Sequence, residues 1–539
     1  MSLGTRVLLV NNIKLPINAS FEEAFSVAKK RLASLGINSS SAKLSVYKKS
    51  VDARNKADIK FVYSVMLHGE FPALPKRAAE CGVTEQIDST ELDIVYGCER
   101  LYAPPLVVGS GPAGLFAALL LAENGYRPVL IERGGSIADR QKQVDRFYRE
   151  HILDANTNIQ FGAGGAGTYS DGKLVTRINS PLSSYVMNRL VEFGAPGEIL
   201  YLAKPHVGTD VLSGVVDRIL ERIIALGGSV RYNTQFLGTK DNGGVSVALT
   251  NNGEIPYGAL ILAIGHSARD TYEKLFCDGY SIIPKSFSVG LRIEHLAEDI
   301  DKAMYGDFAG SEYLGHAEYN LSHNTKERGV YTFCMCPGGE VVAAASEELG
   351  VVVNGMSRHA RADRNSNSAV VCSIFAEDYG NTPGAAIEFQ RSIERRAYTA
   401  GGGGYAAPMV TVGDFLKGRA ITEPTKVLPS YMAGTNLKIA TPDGYLPEVV
   451  CTSIRAALKD FDKKINGFAA DHAVLTGAET RTSAPIRILR DNETRLAVGR
   501  ANIYPSGEGA GYAGGITSAA IDGIGTALAI MKRFKRLDG

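Results

Sequence analysis

The sequence predicts an α/β protein whose parallel sheet is split by a long insertion with an α+β cap character. Three observations lead there. A strand, a glycine turn, a small-residue helix and a second strand follow one another between residues 105 and 132, which is a βαβ unit. Apolar strands and helical stretches continue to about residue 285 and resume near 441. Between them, residues 286–440 read instead as strands of a mainly antiparallel sheet.

Length and composition set the frame. At 539 residues, a prior of ~100–200 residues per domain suggests about three domains. A formal net charge of +1, with 45% hydrophobic and 21% charged residues, is that of an ordinary globular chain, without the field expected of a nucleic-acid or membrane binder. The opening apolar run is too short for a signal peptide, and no uncharged stretch suffices for a membrane span. Seven scattered cysteines argue for a reducing, cytoplasmic setting rather than a disulfide framework, and their spacing offers no metal site.

Taken in order, residues 1–100 form a small α/β domain: strands at 5–10, 44–48 and 59–67, with helical spacing over 20–35 through Phe21, Ala24, Phe25, Ala28 and Leu32. Lys43, Lys48, Lys49, Arg54, Lys56 and Lys60 make it locally basic, a solvated face or a docking surface for a protein or RNA partner. Residues 101–285 hold the βαβ unit, a polar helix over 137–152, a glycine-rich stretch at 161–174, a crossover through the helix at 211–226, and a β-meander. Residues 286–440 form the inserted cap. Gly401–Gly404 has neither a preceding strand nor a following acid, so it reads as a loop. Residues 441–539 return to the first sheet through the strand 496–499 and a final helix over 517–530.

The βαβ unit carries the clearest chemistry. Gly109-Ser110-Gly111-Pro112-Ala113-Gly114 matches the Rossmann-like FAD/NAD(P)-binding turn, in which the first glycine permits the tight turn, the second lets backbone approach a pyrophosphate, and the third lets helix and strand pack closely. The helix N-terminus offers free N–H groups to the phosphates. Glu132 closes the second strand where a ribose acceptor belongs, followed by Arg133, and its charge disfavours a 2′-phosphate. Glycines crowd again at Phe161-Gly-Ala-Gly164-Gly165-Ala-Gly-Thr-Tyr-Ser-Asp171-Gly-Lys173, implying close backbone approach to a flat or anionic group. Phe236, opening the meander, and Ala263-Ile-Gly265, where a hydrophobic strand stops, return to the same region.

With the late loop Tyr504-Pro-Ser-Gly507-Glu508-Gly-Ala-Gly, these segments resemble the glutathione-reductase-like FAD superfamily. The wording of 161–174, 286–295, 336–339, 353–358, 481–488 and 504–515 is similar to one subgroup, the uncharacterised FAD-dependent or NAD(FAD)-utilising dehydrogenases. That resemblance implies non-covalent FAD, with Glu508 on the ribityl hydroxyls and Gly514, Gly515 and Ile516 beside the flavin, where the helix dipole stabilises its reduced form. It implies an FAD-dependent oxidoreductase moving hydride between a small-molecule substrate, or transient NAD(P)H, and the flavin. No cysteine pair lies between Glu132 and Leu174, and no second complete glycine fingerprint exists, so a pyridine-nucleotide-disulfide reductase mechanism is not expected and a nicotinamide donor would bind transiently, without its own Rossmann domain.

On the substrate side, Arg292 and His295 stand three apart on a strand and point to opposite faces. Cys334 and Cys336 share a face, as a redox pair or as small buried hydrophobes. Asn354, Ser357, Arg358 and Arg361 form a polar cluster suited to an anion, and Lys173 is placed at the flavin pyrimidine end. Arg292, His295, Cys336 and Arg358 are the catalytic candidates. The alternatives are an RNA-associated or RNA-modifying flavoprotein using the basic N-terminal domain, and a flavin monooxygenase.

Overall fold

The structure, a computed structural model, describes residues 4–86, 92–176, 178, 180–242, 244–325, 328–434 and 436–537. Its parallel sheet runs in the order Ile503–Pro505, Leu260–Leu262, Leu106–Val108, Val129–Ile131, Ser229–Arg231, with every neighbouring pair parallel. Leu106–Val108 and Leu260–Leu262 are buried at every position, as strands covered on both faces must be. Helices Pro112–Glu123, Thr209–Ala225 and Ile516–Arg533 share one core through Leu115, Leu119, Val216, Ile219, Ile524 and Ala527. A second core joins Leu106, Val108 and Ile131 to the meander residues Phe236, Ala248 and Ile255. The meander itself is the antiparallel trio Phe236–Asn242, Val245–Thr250, Gly253–Pro256.

The inserted domain is built on a seven-stranded sheet in the order Ser322–Asn324, Gly329–Cys336, Asn365–Ile374, Phe287–Leu296, Val474–Glu479, Ala407–Thr411, Leu437–Ile439. Only the last pair is parallel. The expected boundary at residue 440 is therefore corrected: the cap continues past it. Helix Glu448–Lys464 buries Val450, Ile454, Leu458 and Phe461 in the core that holds Leu291 and Val370, so its apolar face belongs to the cap sheet. The chain crosses between domains on a two-stranded ribbon, Ile282–Pro284 antiparallel to Ile486–Ile488. Sequence periodicity alone does not reveal which of two sheets a helix covers.

In the N-terminal domain, helix Phe21–Ser34 starts on a Ser20/Glu23 capping box. The sheet beside it contains a fourth strand, Val83–Gln86, that the sequence pattern did not announce. The domain docks through Lys49 N–H to the Tyr201 carbonyl at 2.7 Å and Phe21 against Tyr201 at 5.6 Å. Much of its basic character is used internally: Lys49 lies 3.9 Å from the Phe61 ring centroid, Lys56 donates to the Ala303 carbonyl, and Arg54 and Lys60 pair with Asp52 and Asp58. Among the described residues, no helix is long and apolar enough to cross a membrane.

Candidate functional site

Four glycine segments distant in sequence meet at the top of the parallel sheet. Gly111 caps helix Pro112–Glu123, with Pro112 at its first turn. Added side-chain carbons show how tightly the pieces fit: one on Gly109 would clash with the Ala263 carbonyl oxygen, and one on Gly114 with the Gly109 carbonyl oxygen. One on Gly111 would meet only the Gly165 Cα, at 3.9 Å, leaving that backbone open to an anion. Gly509 approaches Gly265 so closely that a Cβ would lie 2.6 Å from its N and O, and Gly507 abuts Ala113. Gly167 faces Ile516, the first residue of the last helix, where Gly514 and Gly515 are exposed. Gly164 turns at φ +82° beneath Thr168.

Arg140, which sequence reading treated only as part of a polar helix, holds this arrangement. Fully buried, it donates to the carbonyls of Asn158, Ile159, Ala163 and Gly165 at 2.6–2.8 Å. Burial lowers it to about 10, still charged at neutral pH.

Glu132 behaves differently from a free ribose acceptor. One carboxylate oxygen accepts from Ser110 N–H and Oγ (3.0 and 2.7 Å), the other from Gly134 and Gly162 N–H (both 3.0 Å). Its carboxylate thus clamps three loops together, and the rotatable Ser110 hydroxyl is the one donor that can yield its place. Arg133 lies over the Phe161 ring at 4.2 Å and pairs with Asp270 at 2.8 Å. The Phe236 side chain is buried in the meander core, so only its backbone can line a ligand. Beside Phe161 and Ser267 opens a cleft of ≈ 430 Å³ between the two domains. Its arginines are already paired, Arg269 with Glu394 and Arg391 with Glu347.

Glu508 makes no ion pair among the described residues. Burial raises its carboxyl to about 7, with Lys285 the opposing charge. The nearby His266, two residues before Ala268 and absent from the sequence candidates, is pushed down to about 3 by burial and by Arg481, Arg269 and Lys285, so it is neutral. The raised Glu508 value favours the protonated folded form. Its contribution to apoprotein stability is full below 4.5 and lost as pH rises through about 7. Glu508→Gln is accordingly expected to change stability little at low pH and to raise it above the folded value by up to about 3 kcal/mol. Thermal denaturation of the apoprotein at both pH values measures this, and an equal effect at each would show that Glu508 ionises normally.

On the cap side, the loop after the glycine stretch enters a buried charge cluster. Asp171 is fully buried and accepts from Arg361 and Ser357. Arg361 also donates to Glu318 at 2.7 Å, and Lys173 donates to Glu318 at 3.3 Å. Burial would raise Glu318, but Lys173, Arg361 and Lys204 outweigh it and bring it to about 2. Leu174, next to Lys173, accepts from Thr517 Oγ1 at 2.8 Å, which joins this cluster to the first turn of helix Ile516–Arg533.

The catalytic candidates fare unevenly. His295 is not at the site: it is buried, its Nε2 bonds the Phe468 carbonyl at 2.8 Å, and burial lowers it to about 4. It faces away from Arg292 because three residues on a strand reverse direction. Arg358 is also corrected. It extends outward to Asp363 at 3.3 Å, while Arg361, in the left-handed region at φ +49°, turns inward in its stead. Arg292 is fully buried and saturated by Glu479, Asn367, Asn354 and the Cys334 carbonyl, so it positions its neighbours. Cys336 is fully buried beside Cys334.

Comparison with known proteins bears on this geometry. Residues 286–482 match the model of the FAD-dependent protein, C-terminal domain-like family, residues 107–163 that of the NAD(P)-binding Rossmann-like domain, and residues 8–68 a domain of unknown function. An uncharacterized protein of Clostridium beijerinckii is 44% identical over 534 residues, covering 97% of this chain and 98% of the relative. Among solved structures, CtdE in complex with FAD aligns at 12% identity and TM-score 0.31 over 80% of this chain and 84% of its own. The Diels-Alderase PyrE3 aligns at 13% and 0.34 over 79% and 65%. Scores so low transfer nothing from those two proteins. The match of the C-terminal domain-like model ends at residue 482, just before the ribbon strand Ile486–Ile488 that leads out of the cap. The chain belongs to one family with the Clostridium relative, it carries the FAD-dependent protein, C-terminal domain-like domain over residues 286–482, and its cofactor is FAD.

Proposed function

We propose that the protein is an oxidoreductase in which hydride passes between a small polar substrate, or transiently bound NAD(P)H, and non-covalently held FAD. The observation that carries this reading is the convergence of the 109–114, 162–167, 263–265 and 507–516 backbones at one place, with a buried charged cluster reached directly through Lys173 and Leu174. Open backbone at Gly111 and the start of helix Pro112–Glu123 suit a pyrophosphate. Glu132 would hold a ribose hydroxyl in place of the Ser110 Oγ bond, and Glu508 would hold the ribityl chain. Gly514, Gly515 and Ile516 present the end of a helix dipole to the flavin. Hydride acceptance and release is the chemistry that bound FAD supplies. The chain's own part is to exclude water, orient the substrate through Arg361 and Lys173, and hold those cations in place with Asp171 and Glu318.

Anaerobic mixing of the flavin-loaded protein with NADH, NADPH and a panel of polar alcohols, amines and acids tests the reading, with bleaching of the flavin absorbance as the expected result. Protein that retains FAD yet is reduced by none of them would remove hydride transfer. Protein that neither contains nor binds FAD would remove the site itself.

A further inference from the structure

Strand Gly329–Cys336 is broken where it carries its two cysteines. Its register against Asn365–Ile374 shifts between Phe333 and Cys336, and Cys334 adopts φ +45°. That conformation is uncommon for a residue with a Cβ and is a bulge that re-aims side chains. Cys336 Sγ donates to the Cys334 carbonyl at 3.3 Å, which turns the Cys336 thiol back toward the residue two before it. Cys336 has no exposure, whereas Cys334 is partly accessible.

The surroundings are those of a reactive thiol rather than of two small hydrophobes. Arg292 donates to the Cys334 carbonyl at 3.1 Å, and Lys173 acts on Cys334 from the loop that leads to the start of helix Ile516–Arg533. Across the sheet, Cys336 is paired with Asn367, whose Nδ2 is buried without a partner while its Oδ1 accepts from Arg292 at 2.8 Å. The neighbouring Cys336 thiol, together with the charges of Arg292 and Lys173, lowers Cys334 against the effect of burial, and Cys336 is raised in turn. Cations and a hydrogen-bond donor beside a partly exposed thiol are what make it nucleophilic. By contrast, Cys372 and Cys451 are buried singly in the cap core.

We propose that Cys334 and Cys336 form a redox-active dithiol that exchanges an electron pair with the FAD at the adjoining glycine cradle. The inference rests on the placement of the flavin given above. In the oxidising direction, the Cys334 thiolate and the Cys336 thiol form one S–S bond and release two electrons and one proton. Both electrons and that proton pass to the oxidised isoalloxazine, giving its anionic reduced form. The reverse step restores thiolate and thiol. Cys334 is the sulfur open to exchange with a thiol or disulfide from solution, and Cys336 is the resolving one.

Two measurements on the full-length flavoprotein test this. After treatment with diamide and desalting, anaerobic dithionite titration is expected to consume about four electrons per flavin in the wild type and about two in Cys334→Ser. Equal consumption in both would overturn the exchange. Independently, trypsin releases residues 329–358, a peptide holding Cys334 and Cys336 and no other cysteine. Mass spectrometry should find it lacking two hydrogens and resistant to alkylation until reductant is added. Both thiols remaining alkylatable after diamide would overturn the dithiol even if Cys336 variants failed to fold. A disulfide found by mass spectrometry together with equal electron consumption in the two proteins would keep the pair and overturn its exchange with FAD.

Discussion

Replacing Glu394 by leucine is expected to lower the unfolding free energy by about 3–5 kcal/mol, the usual cost of breaking a buried ion pair from one side. Glu394 sits on helix Pro383–Ala400 and is 1% exposed. It accepts two bonds from Arg269 at 2.8 Å, two from Arg481 at 2.9 and 3.0 Å, and one from Thr480 at 2.6 Å. Burial alone would raise its carboxyl, but the two guanidinium groups outweigh burial and hold it far below the ordinary range. Leucine fills similar space and leaves both cations in the interior. Arg269 keeps Glu347 and Gln390, whereas Arg481 keeps mainly Ser346, so the loss falls chiefly on Arg481. Because Arg269 belongs to the parallel-sheet domain and Glu394 to the cap, denaturant unfolding followed by circular dichroism should also show the two domains separating. A change below about 1 kcal/mol would mean that the arginines relax to water, as exposed pairs do.

The second large effect concerns binding and leaves the apoprotein intact. Gly111→Ala should weaken FAD binding by about 100-fold, equivalent to about 2.7 kcal/mol. Gly111 has ordinary backbone angles, φ −67° and ψ 176°, and its added carbon would meet only Gly165 Cα at 3.9 Å. Alanine therefore costs the fold little. The methyl group would, however, stand where a pyrophosphate must approach the N–H groups of the helix start. Gly114→Ala makes the opposite case, because its Cβ would collide with the Gly109 carbonyl and disturb the fold before any ligand is bound. Fluorescence titration of FAD together with apoprotein melting separates the two. Unaltered FAD affinity in Gly111→Ala would place the pyrophosphate elsewhere.

Local patterns carried much of the architecture. The βαβ unit was legible because its glycines, apolar strands and terminal acid lie within one short stretch, and the structure puts Leu106–Val108, Pro112–Glu123 and Val129–Ile131 where that pattern implies. The late loop at Gly507 and the strand ending at Gly265 were legible as chemistry of the same kind. Less visible was Arg140, whose partners are backbone carbonyls 18 to 25 residues away, and carbonyls leave no mark in composition. The reach of the cap past residue 440 was hidden for a related reason: an amphipathic helix states that it has a buried face without stating which sheet covers it.

The substrate side shows the limit most clearly. Sequence spacing separated Arg292 from His295 onto opposite faces, which the strand Phe287–Leu296 bears out, but could not say which face was the useful one. Nor could it choose between Arg358 and Arg361, since the choice depends on one residue taking a positive φ and turning its side chain toward Asp171, some 190 positions earlier. By itself the sequence determined the nucleotide fold, the family and the glycine segments that converge above the parallel sheet, because those follow from short-range steric demands on glycine and apolar strands. Tertiary structure alone decided which charges are buried together, that Glu132 clamps three loops, and that Cys334 and Cys336 sit on a bulge beside Arg292 and Lys173. Those contacts join distant parts of the chain, and their energies come from burial and mutual charge, which a linear pattern does not contain.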